Sequence, residues 1–233
     1  MPSKQEILAQ AALLSSLTEV ELDELAAVAR TVQMTSGQPL FRKGDEGTQF
    51  YVIVRGVIRI STISAGGRET LLNLLRAGET FGEIALLDGG PRTADAVAHE
   101  ASELLMIERR ELLPFLDRHP EGVRRMLAAV CERLRWVSQL YEDSTFLDLP
   151  RRLAKRLLLL AKLFGRPSSE GGTRIALQLS QQDLAALMGV TRESINRQMK
   201  LFAAQGLINL DEDFIVITDV PGLEKICFAA QNL

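Results

Sequence analysis

Hydrophobic and polar positions follow successive patterns along the chain. Up to about residue 28, apolar residues recur at helical spacing, which predicts a short helical opening. From about Thr31 onwards, frequent glycines separate short segments rich in β-branched and aromatic residues: Phe50–Val54, Val57–Ile63, Glu69–Leu75, Asp95–Ala98 and Glu103–Ile107. Short strands joined by glycine turns at this spacing predict an antiparallel sandwich or roll.

A different period begins after Pro120. The seam positions then alternate in steps of four and three, as in a heptad repeat: Val123, Leu127, Val130, Leu134, Val137, Tyr141 and Ser144. Such a seam, with charge on the other faces, predicts a long helix that pairs with a second copy of the chain. The alternative is a helix that packs on its own sheet. Three heptads at the exit of a β domain favour the homodimer.

The helical pattern breaks at Thr145–Pro150, because proline disfavours helical backbone in the residue before it. After the break we expect a helix at Arg151–Phe164, a loop at Arg166–Thr173 and a short strand at Arg174–Leu179. Two helices that meet at a tight turn come next, at Gln181–Met188 and Arg192–Gln205, and a hairpin of Leu207–Leu210 and Phe214–Thr218 follows. The predicted fold is α+β. It has an N-terminal antiparallel β-roll in residues 1–118, a long dimerisation helix and hinge in 119–148, and a winged helix-turn-helix domain in 149–233.

The net charge of −3 hides an uneven distribution. Residues 1–148 have 16 Lys and Arg against 22 Asp and Glu, a balance of −6, and residues 209–233 have a balance of −4. Between them, residues 149–208 have 10 basic and 3 acidic side chains, a balance of +7. Phosphate contacts dominate the affinity of proteins for DNA, so this basic block is the expected DNA-binding part of the chain.

Composition excludes several classes of protein. Cys131 and Cys227 lie 96 positions apart without a neighbouring Cys or His, which excludes zinc, iron–sulfur and disulfide-framework sites. The sequence has no run of about 18 apolar residues and no secretory signal, so we expect a cytoplasmic protein without a membrane partner. Neither a nucleophile–base set nor a metal-ligand cluster can be recognised in the sequence. We therefore expect a protein that is not an enzyme, with no catalytic residue and no metal.

The segment with the clearest chemistry is Phe81–Val97, which reads FGEIALLDGGPRTADAV. A buried phosphodiester needs backbone donors, a fixed cation and little steric bulk, because an anion without partners is costly to desolvate. Gly82 permits close backbone approach, a turn at Ile84–Leu87 can present successive N–H groups, and Arg92 supplies a two-pronged donor. Two further side chains add a hydroxyl and an acceptor for a ribose hydroxyl: Thr93 and Glu83. The alternative is the same turn with Arg92 and Glu83 as an internal ion pair.

This segment closely resembles the phosphate-binding cassette of cyclic-nucleotide-binding domains, and Lys43–Gly56 resembles their glycine-marked roll. The resemblance implies that the cassette positions contact the ribose and the cyclic phosphate: Gly82, Glu83, Ile84, Ala85, Arg92 and Thr93. Over about residues 15–220, the order of roll, long helix, hinge and terminal helix-turn-helix resembles the catabolite-activator and fumarate–nitrate-regulator (CRP/FNR) family.

In the cyclic-AMP members of this family, a Thr-Ser pair on the dimer helix reaches the purine, and one subunit completes the site of the other. The matching positions here are Val137 and Ser138, so one hydroxyl is absent, and an apolar residue cannot replace its hydrogen bond. Thr93 is similar to the residue associated with cyclic-GMP binding, and Arg133 matches a base-proximal position. The resemblance thus implies cAMP or cGMP as the allosteric ligand, with cAMP narrowly first.

The helix pair before the hairpin has the pattern of a DNA-reading motif. Ser180 fits a helix cap with Asp183 at the third position, and Thr191 fits the cap of the second helix. The polar face of that second helix lies opposite three apolar positions: Ile195, Met199 and Phe202. In the major groove, Arg pairs with guanine and Glu accepts from cytosine. The candidate DNA contacts of the pair are Ser180, Thr191, Arg192, Glu193, Ser194, Asn196, Arg197 and Lys200.

The motif Arg192–Arg197 is similar to the recognition helix of the same family. By that resemblance Arg192, Glu193 and Arg197 would read bases, whereas Ser194 and Thr191 would contact phosphate. It implies palindromic double-stranded DNA with TGTGA-like or TGT-like half-sites, and RNA polymerase as a further partner. The sequence therefore predicts a homodimeric transcription factor controlled by cAMP or cGMP. The alternatives are a same-fold sensor of a gas or redox signal, and a nucleotide-binding regulatory protein that does not bind DNA.

Overall fold

The computed structural model describes residues 2–169, 171–211 and 214–228. The chain divides into two compact units between Trp136 and Val137. One 27-residue helix, α5 (Pro120–Phe146), contains this division, as the heptad pattern predicts for a long helix. The predicted domain boundaries at residues 119 and 149 remain predictions.

The first unit opens with two helices, α1 (Lys4–Gln10) and α2 (Glu19–Val28). Each begins with a capping box, in which the cap hydroxyl accepts from the third backbone N–H and a glutamate reaches back to the cap. The residues between them form turns rather than continuing the helix, so the predicted opening is two helices and not one.

Two four-stranded antiparallel sheets follow, in the orders β1-β8-β3-β6 and β2-β7-β4-β5. Their strands are β1 (Arg30–Met34), β2 (Pro39–Phe41), β3 (Gln49–Arg55), β4 (Val57–Ile63), β5 (Glu69–Arg76), β6 (Thr80–Phe81), β7 (Asp95–Ala98) and β8 (Ser102–Glu108). Alternate residues of β3 pack into two different hydrophobic cores. Tyr51 and Ile53 join a core shared by both sheets, whereas Phe50 and Val52 face a second core built with the helices. The predicted antiparallel roll is confirmed.

Two helices of the first unit differ from the expectations. The turn predicted at Ile84–Leu87 is a six-residue helix, α3 (Glu83–Asp88). The helix α4 (Arg109–Arg118) was not predicted, because Pro114 inside it obscures the helical pattern. Its apolar face contributes Leu112, Phe115 and Leu116 to the core built with the helices.

The second unit contains a helix-turn-helix and a small antiparallel sheet in the order β11-β12-β10-β9. Its elements are α6 (Leu149–Phe164), β9 (Gly165–Pro167), β10 (Thr173–Ile175), α7 (Gln181–Met188), α8 (Arg192–Ala204), β11 (Ile208–Asp211), β12 (Phe214–Ile217) and α9 (Val220–Phe228). The wing hairpin is the pair β11–β12. Positions 212 and 213 of its predicted acidic turn lie outside the described residues. The predicted α+β class with a winged helix-turn-helix is confirmed.

Three details of this unit correct the sequence-based prediction. Helix α6 begins at Leu149 with Asp148 as its cap, because Pro150 falls in the first turn, where a missing N–H costs nothing. Part of the predicted loop Arg166–Thr173 belongs to β9 and β10, which pair with each other. The helix α9 follows the wing and packs on α6. Across the described residues, none of the helices combines the length and apolar character needed to cross a membrane.

Candidate nucleotide site and DNA-reading helix

Arg92 is a buried cation in the first unit, with 3% of its surface exposed. Its Nη1 donates to the carbonyl of Gly82 at 2.9 Å, and its Nη2 donates to the carbonyl of Gln49 at 2.8 Å. The guanidinium carbon lies 4.1 Å from the centre of the Phe41 ring. Two backbone carbonyls and one aromatic face therefore hold the group in place.

No carboxylate pairs with this guanidinium among the described residues, and its Nε is buried without a hydrogen-bond partner there. Burial lowers the pKa of Arg92 below its ordinary value, whereas the nearby Tyr51, Glu83 and Asp45 side chains oppose that shift. A buried charge without a counter-ion is costly. The arrangement is therefore suited to receive an anion.

Two glycines keep the space around Arg92 open. Gly82 has a φ of +83°, and a Cβ added there would lie 2.7 Å from Arg92 Nη1. A Cβ at Gly47 would collide with the Cβ of Ala85 and would lie 3.2 Å from Arg92 Nε. Any larger residue at either position would displace the guanidinium or its neighbours.

The carboxylate of Glu83 is buried beside this site and pairs with Arg133 rather than with Arg92. Arg133 Nη1 lies 3.0 Å from Glu83 Oε1 and donates to the carbonyl of Thr80 at 3.2 Å. Arg133 belongs to α5, so this ion pair links the long helix to α3. The pairing with Arg133 leaves a carboxylate oxygen of Glu83 that can accept further hydrogen bonds.

The structure brings together most of the predicted ligand residues within the first unit: Gly82, Glu83, Ala85, Arg92 and Arg133. Ile84 and Thr93 are exposed, on α3 and just after Arg92. Val137 and Ser138 lie on α5 beyond the division of the two units, and both are exposed. Sequence reasoning missed Phe41, Gln49 and Tyr51, because they reach Arg92 from 41 to 51 positions away and carry no motif.

The helix-turn-helix of the second unit has the predicted caps. Ser180 and Asp183 form a capping box at the start of α7, and Thr191 Oγ1 accepts from the Ser194 N–H at the start of α8. Gly189 ends α7 with a φ of +66°, a conformation that favours glycine and turns the chain sharply. The two helices pack against each other at this turn.

The faces of α8 separate as predicted. Ile195, Met199 and Phe202 are buried, whereas the side chains of the other face are exposed or half-buried: Arg192, Glu193, Ser194, Asn196, Arg197 and Lys200. Its own backbone N–H and the Thr191 hydroxyl lower the pKa of Glu193. Glu193 therefore remains an ionised acceptor at neutral pH, as a contact to a base amino group requires.

Comparisons with known proteins identify the families of both domains. Residues 31–119 match the family model of the cyclic nucleotide-binding domain, and residues 151–226 match the Crp-like helix-turn-helix domain. The CRP-like cAMP-activated global transcriptional regulator of Mycobacterium tuberculosis is 32% identical over 221 residues, which cover 94% of this chain and 98% of that protein. The chain belongs to the CRP/FNR family of transcriptional regulators.

Other members of the CRP/FNR family extend the comparison. The cyclic AMP receptor protein of Thermus thermophilus is 32% identical over 216 residues, covering 93% of this chain and 96% of that protein. The structure of the c-di-GMP responsive global regulator CLP of Xanthomonas campestris has a TM-score of 0.75 at 24% identity, covering 87% of this chain and all of that chain. At that identity the likeness shows the shared fold alone.

Proposed function

We propose that the chain is a homodimeric transcription regulator that binds palindromic DNA in response to a cyclic nucleotide, with cAMP as the first candidate. The observation that carries the proposal is Arg92, a buried cation inside a cyclic nucleotide-binding domain that has no paired carboxylate among the residues the structure describes. A cyclic phosphate supplies the missing anion. Two relatives that are 32% identical have names that specify cyclic AMP, which supports this choice.

In the proposed complex the cyclic phosphate lies at Arg92 and Thr93, and the ribose hydroxyl donates to Glu83. The glycine at position 82 and the neighbouring Ile84 and Ala85 border the sugar and phosphate. The base lies toward α5, where Arg133, Val137 and the Ser138 position of a second copy are the candidate contacts. A nucleotide held by both copies favours the DNA-competent arrangement only if it binds that arrangement more tightly.

Cyclic GMP is the second candidate. Val137 offers no hydroxyl where cyclic-AMP members carry threonine, so one hydrogen bond to the purine is missing. Thr93 is exposed next to Arg92, where its hydroxyl can meet the amino group of guanine. Calorimetric titration with each nucleotide separates the two ligands by their affinities.

The proposed dimer rests on the exposed part of the α5 seam, because Val123 and Val130 of that seam pack against the core of the first unit. Four of its apolar side chains have at least half of their surface exposed: Leu127, Leu134, Val137 and Tyr141. Contiguous apolar seams of this kind mark interaction surfaces, and a heptad seam pairs with its like. Leu134→Glu should convert the dimer to a monomer in sedimentation velocity. Val20→Glu adds the same charge at an exposed apolar residue outside the seam and should leave the mass unchanged.

The proposed DNA contacts are the polar face of α8 and the two helix caps. A symmetric pair of α8 helices suits half-sites about one DNA turn, ~34 Å, apart, with TGTGA-like or TGT-like sequences. In the proposal Arg192, Glu193 and Arg197 read bases. The proposed phosphate contacts are Thr191, Ser194, Ser180 and Lys200. Asn196 faces the outer part of the half-site. RNA polymerase is the proposed further partner at the promoter.

The deciding experiment is titration of the chain with cAMP and with cGMP, followed by fluorescence anisotropy on selected palindromic duplexes at fixed salt. We expect one nucleotide to bind and to increase DNA affinity. Binding of a nucleotide without any effect on DNA would favour a nucleotide-binding regulatory protein. Binding of neither nucleotide, together with an absorption band of a bound chromophore, would favour a gas or redox sensor.

A further inference from the structure

Three aromatic rings form a wall beneath Arg92. Phe41, Tyr51 and Phe81 lie on β2, β3 and β6, and their ring centres are 5.2 to 6.2 Å apart. Of the three, Phe41 lies under the guanidinium at 4.1 Å, whereas the Tyr51 ring is 5.8 Å away. Phe41 is therefore the ring that covers one face of the cation.

The two hydrogen bonds and the ring contact of Arg92 restrict the motion of its guanidinium in different directions. The hydrogen bonds to the Gly82 and Gln49 carbonyls lie at the edge of the guanidinium and use its two terminal nitrogens. The guanidinium carbon lies over the ring of Phe41, 4.1 Å from its centre, so the ring restricts motion of the group in that direction. Arginine side chains have many rotamers, so a guanidinium that is already held by two hydrogen bonds and a ring binds an anion with little further ordering.

The Phe41 ring also attracts the positive charge of Arg92. Arg92 is buried without a carboxylate partner among the described residues, and the face of an aromatic ring is negative. Phe41 thus offsets part of the desolvation cost that the cation bears before a ligand arrives. An aliphatic side chain of similar size would fill the space without this attraction, and the guanidinium would then leave the site in a fraction of the molecules.

We propose that Phe41 is a positioning residue for the nucleotide: by stacking on Arg92 it holds the guanidinium ready for the cyclic phosphate and so raises ligand affinity. This inference rests on the proposed nucleotide-binding function. Phe41 can raise the affinity for the ligand only if Arg92 moves when the ring is removed. A ring that stabilised the free and bound forms equally would leave the affinity unchanged.

The test measures cAMP and cGMP affinity by calorimetry for Phe41→Leu, Phe41→Tyr and the matched core variant Phe81→Leu. We expect Phe41→Leu to weaken binding about 5- to 30-fold, which corresponds to about 1–2 kcal/mol for a desolvated cation–π contact. Phe41→Tyr keeps the ring and should restore the affinity to within about twofold. Phe81→Leu removes a buried ring that does not cover Arg92, and should lower stability with a smaller effect on affinity.

A second measurement separates this inference from the proposed function. In a double-mutant cycle, Phe41→Leu should cost much less affinity in an Arg92→Lys background, because its effect passes through the guanidinium. Equal costs in both backgrounds would overturn the inference. If the unaltered chain binds neither nucleotide, the proposed function fails. In that case the same double-mutant cycle is measured by urea unfolding. A coupling between Phe41 and Arg92 of less than about twofold in the unfolding equilibrium constant would overturn the positioning role.

Discussion

The two functional regions of this chain hold their charges in opposite ways. In the nucleotide-binding domain, Arg92 is buried and fixed by two carbonyls and a ring. On the recognition helix α8, Arg192, Arg197 and Lys200 are exposed to solvent. Under the proposed function, the first region receives a single small anion, and the second receives a long polyanion whose contacts add up. Loss of one charge should therefore be severe in the first region and graded in the second.

Arg92→Gln should have the largest effect. Removing one partner of a desolvated charge pair costs about 2–5 kcal/mol, so the affinity for the cyclic nucleotide should fall about 30- to several thousand-fold. Calorimetry measures the affinity, and circular dichroism checks the fold. Arg30→Gln, at an exposed arginine of the same unit, is the control and should bind normally. A nucleotide response retained by Arg92→Gln would remove Arg92 from the site.

Arg197→Ala should have an intermediate effect, because the proposal assigns to Arg197 one base contact among several. We expect about 1–3 kcal/mol of lost affinity for the preferred palindrome and a relaxed preference at one base pair of each half-site. Competition between duplexes that differ at single positions measures this preference. An equal loss on every duplex would instead assign Arg197 to the phosphate backbone.

Lys200→Ala should have a smaller and less selective effect. Lys200 is exposed on the turn of α8 after Arg197, and we expect it to contact phosphate. The variant should weaken binding to all duplexes alike and should reduce the slope of log affinity against log salt by about 1. Anisotropy titrations at several salt concentrations give the slope. A changed base preference with an unchanged slope would contradict the assignment.

The smallest effect concerns a cluster of charged side chains in the first unit. His119 Nε2 lies 3.0 Å from Glu24, and the hydrogen bond from His119 lowers the pKa of Glu24 below its ordinary value of 4.5. Burial raises the pKa of Glu21, but hydrogen bonds from Thr18 and the charges of Arg125 and His119 bring it below the same value.

A carboxyl whose pKa is lowered by folding stabilises the fold above its unfolded pKa, and this stability is lost as the pH falls through the folded pKa. We therefore expect the urea midpoint to drop below about pH 4.5, and Glu24→Gln to flatten that dependence. Glu24 is exposed to solvent, so screening keeps its share small. An unchanged acid profile in Glu24→Gln would show that the pair with His119 does not form in solution.

Local patterns predicted much of the fold. The strands β4 and β7 and the helix α7 have the predicted bounds, because alternation, glycine turns and a capping box are all encoded within a few residues. The helix α4 escaped prediction because its internal Pro114 argues against a helix, and only the packing of its apolar face outweighs that cost.

The candidate site also has a part that the sequence predicts and a part that it does not predict. The cassette residues Gly82, Glu83 and Arg92 are near one another in sequence and form a motif. The partners that determine their state are distant: Phe41 covers Arg92, and Arg133 pairs with Glu83 from 50 positions away. Such contacts depend on sheet register and helix packing, which a single sequence does not display.

The close approach of Gly47 to Ala85 has a consequence for how this domain varies in evolution. A methyl group at position 47 would occupy the space of the Ala85 methyl, and the backbone at Gly47 does not require a positive φ. The constraint is therefore one of volume and not of conformation, and the volume is shared with Ala85 and with Arg92, whose Nε would lie 3.2 Å from the added Cβ. Gly47→Ala should be better tolerated when Ala85→Gly accompanies it than alone, and these two positions should exchange their small residues together among homologous domains.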